Sequence, residues 1–490
     1  GAVKEMLGCS GTRLRCQIGL CVAHRTAVVA QAVSIKGRQT GSSTPKETVT
    51  GSSTRKPSQS LKGTAKTTSS RTAAQTGGKQ PKQEGNRQTG SRFYNFITGF
   101  PFPLGPFLFR NTVRREVARG VWVFDQTQAL EWFSLYTPVR MTVIQLETGG
   151  LWVHAPVAPT DECVRLVREL GVVEYIVHPT FAYEHKAFVG PFSRAFPKAK
   201  VYVAPHQWSF PLNLPPQFFG IFPEGELQSD DPTVPWADEI EQKLFLPPSI
   251  GVSNYVRFSE VAFFHKRSRT LLVTDAVVFV GDTPPEIIPV DALLENARDN
   301  ALNRFVAGDL TSEEVKQIAR PEPVEDTPQN RRKGWMRMAL LVLYLGPSNL
   351  LEAEESFQAI SNRVMVAPVV ETLVYNKCPA SVRQWVDEIC CWDFRQIIPC
   401  HFEAPIKAGP AEFKRAFTFV YQGLEQEDLA PAASGPAGLL ASFVSLVTGG
   451  GGKPQKMTRP VDFPPADMRT LNGINNSLLR LGVVKANADA

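Results

Sequence analysis

Apolar positions between residues 121 and 205 repeat with two different periods. The stretches "VWVFDQT" and "VRMTVIQLETGGLWVHAPV" are rich in β-branched and aromatic residues, which is typical of strands, and a Gly-Gly pair marks a turn in the second. "TDECVRLVRELG" has the spacing of an amphipathic helix, with Thr160 as its N-cap and Gly171 as its end. "VVEYIV" and "AKVYVAP" predict two buried strands, with the helical pattern "AFVGPFSRAFP" between them. This alternation of strands and helices predicts an α/β fold.

The second half of the chain also predicts a mixture of strands and helices. "SEVAFFH" and "RTLLVTDAVVFVGD" predict two strands joined by a basic turn, and residues 290–335 are charged and helical in pattern. "SVRQWVDEICCWD" predicts an amphipathic helix, "FRQIIPCHF" a strand that runs into a loop, and "PAEFKRAFTFVYQGL" another helix. A short helix in "PADMRTLNGINNSLLRLG" is predicted to close the fold.

Composition divides the chain into segments. Residues 1–92 contain no Phe, Trp or Tyr and hold 16 basic against 3 acidic side chains, so they predict an organelle transit peptide followed by a disordered basic linker. Residues 93–426 predict the folded domain, in which residues 93–120 form an aromatic, Pro-rich arm. Residues 427–460 are rich in Ala, Gly and Pro and predict a flexible insertion, and residues 461–490 supply the closing helix.

Charge and cysteine content exclude several classes of protein. Residues 93–490 hold 37 basic and 44 acidic side chains, so the folded part offers no electrostatic argument for binding nucleic acid. Its five cysteines are odd in number and irregularly spaced, which favours a reducing compartment over a disulfide framework. No apolar run reaches the length of about 18–20 residues that a transmembrane helix needs, although peripheral membrane contact stays open.

Several long phrases resemble one family of photosynthetic organisms. "EHKAFVGPFSRAFPKAKVYVAPHQWSFPLNLP", "RTLLVTDAVV", "GWMRMALLVLYLGPSNL" and "IIPCHFEAPIKAGPAEFKRAF" resemble the plant, algal and cyanobacterial domain of unknown function 4336. The resemblance implies the αββα sandwich of the metallo-β-lactamase-like, or metallo-hydrolase/oxidoreductase, superfamily. It also implies a chloroplast protein, with the stroma as its expected location, and it supplies no activity.

The superfamily's metal-binding pattern can be laid on this sequence residue by residue. Its ligands lie on loops at strand ends, and the resemblance implies that Glu184 and His185 take the places of the usual Asp-His pair that opens a helix. Asp275 in "LLVTDAVV" then takes the place of the bridging Asp, and His401 in "IIPCHF" that of the last His. Thr180 and Ala182 stand where two further histidines are usual.

A third usual histidine is also missing, because its place falls at residues 254–257, "NYVR", and His265 lies within the hairpin instead. All ligands private to one of two metals are therefore absent, while the set for the other survives. Two imidazoles and two carboxylates suit one Zn²⁺, Fe²⁺ or Mn²⁺. A degenerate, metal-free site is the alternative, since Glu in place of Asp moves a carboxylate by one methylene.

Other residues are candidates for lining a pocket beside this site. They are His178, which is expected at a strand end, His206 and the nearby Trp208, and Cys400 beside His401. His154, which follows "GGLWV", is expected at the surface at the end of a strand.

Three functions follow as hypotheses. The first is a metal-dependent hydrolase of a small ester, thioester or phosphoester, in which water is the nucleophile. The second is a non-catalytic relative that binds a small molecule or a chloroplast protein in the old active-site cleft. The third is a redox protein, which would need the two irons that the sequence does not support.

Overall fold

The computed structural model describes residues 110–130, 135–207, 214–251, 257–299, 322–347, 350–422 and 463–489. The expected transit peptide and basic linker, the insertion at residues 427–460 and Trp208 lie outside these residues and stay predictions. Within the described part of the chain, no helix combines the length and the apolar character that crossing a bilayer requires.

The larger sheet has seven strands in sequential order. Strands β1 to β4 pair antiparallel, and β4 to β7 pair parallel. The last part of the arm predicted at residues 93–120 contains strand β1, Val113–Ala118, at the sheet edge. The strands are β1 (Val113–Ala118), β2 (Val121–Leu130), β3 (Leu135–Gln145), β4 (Leu151–His154), β5 (Val173–His178), β6 (Lys200–Val203) and β7 (Gly225–Glu226).

A second sheet of four strands faces the first. Its order is β13-β10-β9-β8, with β10 and β13 parallel and the other pairs antiparallel, and β11 pairs with β12 separately. The strands are β8 (Ile240–Phe245), β9 (Glu260–His265), β10 (Thr270–Leu272), β11 (Val278–Phe279), β12 (Val364–Met365) and β13 (Gln396–Ile398).

Nine α-helices are described, and four of them cover the outer faces of the two sheets. They are α1 (Asp161–Arg168), α2 (Tyr183–Ala195), α3 (Val290–Ala297), α4 (Pro328–Tyr344), α5 (Glu354–Ile360), α6 (Pro368–Leu373), α7 (Pro379–Ile389), α8 (Pro410–Ala416) and α9 (Arg469–Arg480).

Three hydrophobic clusters define the layers. Between the sheets, Trp152 and Val177 of the first sheet pack with Phe263, Leu272 and Ile398 of the second. Helices α1 and α2 cover the outer face of the first sheet, and α7 and α8 cover the second. The predicted αββα sandwich is therefore confirmed.

Helix α1 begins and ends where the sequence predicts. The Thr160 hydroxyl accepts a hydrogen bond from the Cys163 amide at 3.2 Å, which satisfies one of the free N–H groups of the first turn. Gly171 adopts a φ of 150°, a backbone conformation that residues with a Cβ rarely adopt. Helix α2 continues through Pro191 to Ala195, as its apolar spacing predicts.

Helices α3 and α4 pack so closely that their contact excludes a side chain. Gly334 of α4 lies against the backbone of Leu293 in α3. One turn further along, the fully buried Arg337 guanidinium donates to the carbonyl oxygens of Asn296, Ala297 and Arg298 at 2.8–3.1 Å. Because a helix leaves its last carbonyls without partners, Arg337 caps the end of α3.

Candidate metal centre

Four ligand-type side chains meet where strands of both sheets end. One ligand atom from each of Glu184, His185, Asp275 and His401 lies within 4.8 Å of the other three. These are the four residues that the sequence predicts as a metal set. They come from the start of α2, the turn after β10 and the loop after β13.

The start of α2 is held against the second sheet by backbone hydrogen bonds. The Phe181 amide donates to the Ser259 carbonyl at 3.3 Å, and the Val261 amide donates to the Pro179 carbonyl at 2.8 Å. Glu184 lies in the first turn of the helix, where the macrodipole favours a negative charge. The loop before α2 therefore positions Glu184 and His185 relative to strand β9.

Among the four residues, His185 has the surroundings that most favour metal binding. Its side chain is fully buried, and neither Nδ1 nor Nε2 has a hydrogen-bond partner among the described residues. Burial lowers the pKa of His185 well below its usual range, and the neighbouring His401 adds to the effect. Such a buried, unpaired polar ring is costly unless something binds it. The neutral imidazole is the form that coordinates a cation, so this residue fits the implied metal.

His401 is oriented by the strand behind it. Its Nδ1 donates to the Pro138 carbonyl at 2.9 Å, because a carbonyl oxygen can only accept. This bond leaves Nε2 as the free nitrogen, and that atom lies 3.4 Å from Oδ1 of Asp275. Metal-binding histidines commonly donate their other ring N–H to a carbonyl in this way.

A buried arginine fixes the loop that carries His401. The Arg140 guanidinium donates to the carbonyl oxygens of Pro399 at 2.8 Å and Phe402 at 2.7 Å. Its Nε also forms an ion pair with Asp125 at 2.7 Å. Arg140 thus ties both sides of His401 to strand β3.

Asp275 lies on a turn whose backbone amides donate hydrogen bonds to one carboxylate. Oε1 of the fully buried Glu260 accepts hydrogen bonds from the amides of Thr274, Asp275 and Ala276 at 2.7, 3.1 and 3.2 Å. Burial raises the pKa of Glu260 to about 8, and the adjacent Asp275 also raises it. Burial likewise raises the pKa of Asp275 to about 6, with His401 opposing the rise and Glu184 adding to it.

We expect Glu260→Ala to lower metal affinity about tenfold and to destabilise the fold by about 2 kcal/mol, because it leaves buried backbone N–H groups without an acceptor. Glu260→Gln keeps one side-chain oxygen for the same three donors and should restore both quantities nearly to wild type. Metal titration and urea unfolding of the two variants check this. Equal losses in Ala and Gln would contradict a positioning role for the acceptor oxygen.

The predicted pocket-lining residues lie elsewhere. His178 is fully buried, and its Nε2 lies 3.2 Å from Oε1 of Gln207. His206 is exposed and lies 3.5 Å from Arg257. Cys400 is buried, with its Sγ 4.0 Å from Nδ1 of His154. None of these residues belongs to the lining of the cleft described below.

Two buried residues near the centre were missed or misplaced by the sequence analysis. His154 was expected at the surface, but it is only 1% exposed because β4 is covered on both faces and its ring packs on Trp152 and Phe263. Glu260 was not singled out, although an acid directly before the apolar run "VAFF" is an unusual choice and could have marked it.

The places where three further histidines are usual hold other side chains. The Thr180 hydroxyl accepts a hydrogen bond from the Ala182 amide at 3.2 Å, and Ala182 precedes the first residue of α2. His265 lies at the far end of β9, with Nδ1 2.7 Å from the Ser268 hydroxyl. Among the described residues, Glu184, His185, Asp275 and His401 form the one group of His, Cys, Asp or Glu that has metal-binding spacing.

A cleft of about 860 Å³ opens onto this centre. Glu184, Asp275 and His401 line one part of it, while His185 is fully buried. The remaining lining is largely aliphatic and aromatic, with Gln128 and Thr137 among its few polar side chains. The volume lies in the upper part of the range of about 300–1,000 Å³ that is typical of small-molecule sites.

The fold is an αββα sandwich, with imidazoles and carboxylates clustered where its strands end. The particular family follows from a sequence profile: the chain belongs to the family described as "Domain of unknown function (DUF4336)", which matches residues 119–354 and 351–419. No curated protein matches the chain.

Solved structures similar to this chain include lactamases and flavodiiron proteins. The DIM-1 metallo-β-lactamase exposed to ceftazidime is 10% identical, with 64% of this chain and 97% of that chain covered and a TM-score of 0.31. The metal-soaked Flv1 flavodiiron core from Synechocystis sp. PCC6803 is 9% identical, with 65% and 62% covered and a TM-score of 0.35. A metallo-β-lactamase from Pontibacter korlensis is 8% identical, with 64% and 100% covered and a TM-score of 0.33.

Proposed function

We propose that the chain is a hydrolase that uses one divalent transition-metal ion to cleave a small ester, thioester or phosphoester. The observation that supports this most is the convergence of Glu184, His185, Asp275 and His401 on one point at a large cleft, with both ring nitrogens of the buried His185 free. Two neutral imidazoles and two carboxylates suit Zn²⁺, Fe²⁺ or Mn²⁺.

Each residue has a separate task in this proposal. His185 offers a lone pair without first losing a proton, since its pKa is depressed. The Pro138 carbonyl holds His401 in the tautomer that leaves Nε2 free, and Glu260 holds the turn that presents Asp275. Glu184 and Asp275 contribute the negative charge that offsets a dication.

A cation bound there would act as a Lewis acid toward a carbonyl or phosphoryl oxygen and would make water acidic enough to attack near neutral pH. The walls of the cleft hold the rest of the substrate, so that its scissile bond stays close to the centre.

Metal analysis of the purified full chain tests the proposal. After loading with Zn²⁺, Fe²⁺ or Mn²⁺, we expect one equivalent of one of these ions, and removal by a chelator should abolish hydrolysis of a panel of carboxylic esters, thioesters and phosphoesters. No metal under any loading condition would contradict the proposal. Two equivalents would contradict the absence of the second ligand set, and two equivalents of iron in particular would favour the redox alternative. One equivalent without hydrolysis of any substrate class would favour a binding protein.

A further inference from the structure

The cleft beside the metal centre has an aliphatic helical wall. Helix α4 contributes Leu341 and Val342, α6 contributes Val369 and Leu373, and α9 contributes Leu478. No aromatic residue is among these five, which leaves a ring system in the ligand without a stacking partner on this side. Since these residues come from three helices, the wall is a surface shared between elements rather than one exposed turn.

Part of this wall is left incompletely covered. Val342, Val369, Leu373 and Leu478 are only half-buried, and Leu345 at the end of α4 is 48% exposed. Exposed apolar surface costs about 25 cal/mol per Å², and a contiguous apolar patch of this kind commonly marks a binding site. The surface therefore suits an apolar ligand of considerable length.

The charges at the cleft discriminate between the substrate classes of the proposed function. Glu184 and Asp275 are its acidic residues, and among the described residues that line it none is Lys or Arg. In the loaded protein these two carboxylates offset the dication, and the lining offers a phosphoester anion no further cationic side chain. An uncharged carboxylic ester or thioester needs no such partner.

We infer that the substrate is a long-chain acyl ester or acyl thioester, whose hydrocarbon chain lies along the wall formed by α4, α6 and α9 while its carbonyl group reaches Asp275 and His401. The identity of the bond that is cleaved rests on the proposed function, whereas the binding of the ligand's hydrocarbon chain in the cleft does not. Hydrolysis adds water across the acyl bond and releases a fatty acid and an alcohol or thiol, with no oxidant or reductant required.

Binding of linear alkan-1-ols to the full-length protein tests the cleft independently of metal, because their headgroup is neutral. Calorimetric titration from hexanol to dodecanol should show affinity rising about fourfold per methylene, which corresponds to about 0.8 kcal/mol for each buried CH₂. In metal-loaded protein, hydrolysis of p-nitrophenyl esters should rise from acetate to decanoate in the same sense.

Two matched substitutions test where the hydrocarbon chain of the ligand binds. Val369→Trp fills the cleft and should lower dodecanol affinity at least tenfold while leaving metal content unchanged; Val342→Trp does the same from another helix. Val172→Trp is the control, since Val172 is 67% exposed and belongs to neither the cleft nor the metal centre. Thermal unfolding confirms that each variant is folded.

The outcomes separate the two proposals. Affinity that does not change with chain length would overturn the inference, and the proposed function would stand if metal and short-ester hydrolysis remain. Alkanol binding in a protein that takes up no metal and hydrolyses no ester would support a hydrocarbon ligand in the cleft and contradict the proposed hydrolase. Alkanol binding that appears only after deletion of residues 427–460 would overturn the inference. The occupant of the cleft would then be the protein's own apolar segment "AGLLASFVSLV".

Discussion

Replacing His185 by Ala should lower metal affinity by more than about 100-fold, because loss of groups that merely orient a ligand already costs about 10–100-fold. The same change leaves a cavity but also removes a buried polar ring whose nitrogens make no hydrogen bond in the described part of the chain, so the metal-free protein should lose no more than about 2 kcal/mol. Metal at 100 times its dissociation constant stabilises the wild type by about 2.7 kcal/mol, and the variant should lose this gain. Metal content and thermal unfolding with and without metal measure both effects.

His206→Asn provides the matched control for this experiment. His206 is exposed, it lies outside the four-residue cluster, and its φ of 56° is one that Asn tolerates well. This variant should keep wild-type metal content and the full metal-induced rise in melting temperature. A His185→Ala protein that still binds one equivalent at wild-type affinity would exclude His185 as a ligand.

Gly334→Ala should destabilise the fold by about 3 kcal/mol, at the upper end of what overpacking usually costs. A Cβ at residue 334 would lie 1.9 Å from the carbonyl oxygen of Leu293 and 2.7 Å from its carbonyl carbon. These are backbone atoms of α3, so the whole helix must shift, and Arg337 holds the end of that helix through three carbonyls. The midpoint of urea unfolding, at an unchanged m value, measures the loss.

Gly473→Ala is the control for the helical glycine. Gly473 lies within α9, and a Cβ there would meet no atom within 4 Å. Because Ala loses less backbone entropy than Gly in a helix, this change should stabilise by about 0.5–1 kcal/mol. Equal effects of the two substitutions would show that helix propensity, rather than the contact between α3 and α4, determines the result.

The sequence predicts the four clustered residues because their positions are tied to local patterns. Glu184 and His185 open a helix at a fixed distance from its end, Asp275 follows an apolar strand, and His401 follows another. Each strand end is readable from a short window, and the αββα fold brings those ends together. The two sheets and their helical layers were predictable because strands and helices can also be read from short windows of sequence.

The remaining features depend on packing between distant segments. Glu260 acts on a turn 14 residues away in sequence, and its unusual place before "VAFF" could mark the residue but not the turn that it contacts. His154 is buried because both faces of β4 are covered, which alternation within four residues cannot reveal. Strand β1 is polar in sequence and forms because it pairs with β2, so it resembled part of the arm. The aliphatic cleft needs three helices that are far apart in the chain.

The four clustered side chains belong to three segments that are widely separated in the sequence, one next to the larger sheet and two next to the smaller. A cation held by them would cross-link the two halves of the sandwich, in the manner of a clip that closes two long loops. The sheets would have to dock before all four ligands could meet, so the ion would bind late in folding. Its binding energy would then resist separation of the halves, and backbone amides between the sheets should exchange with solvent more slowly in the loaded protein.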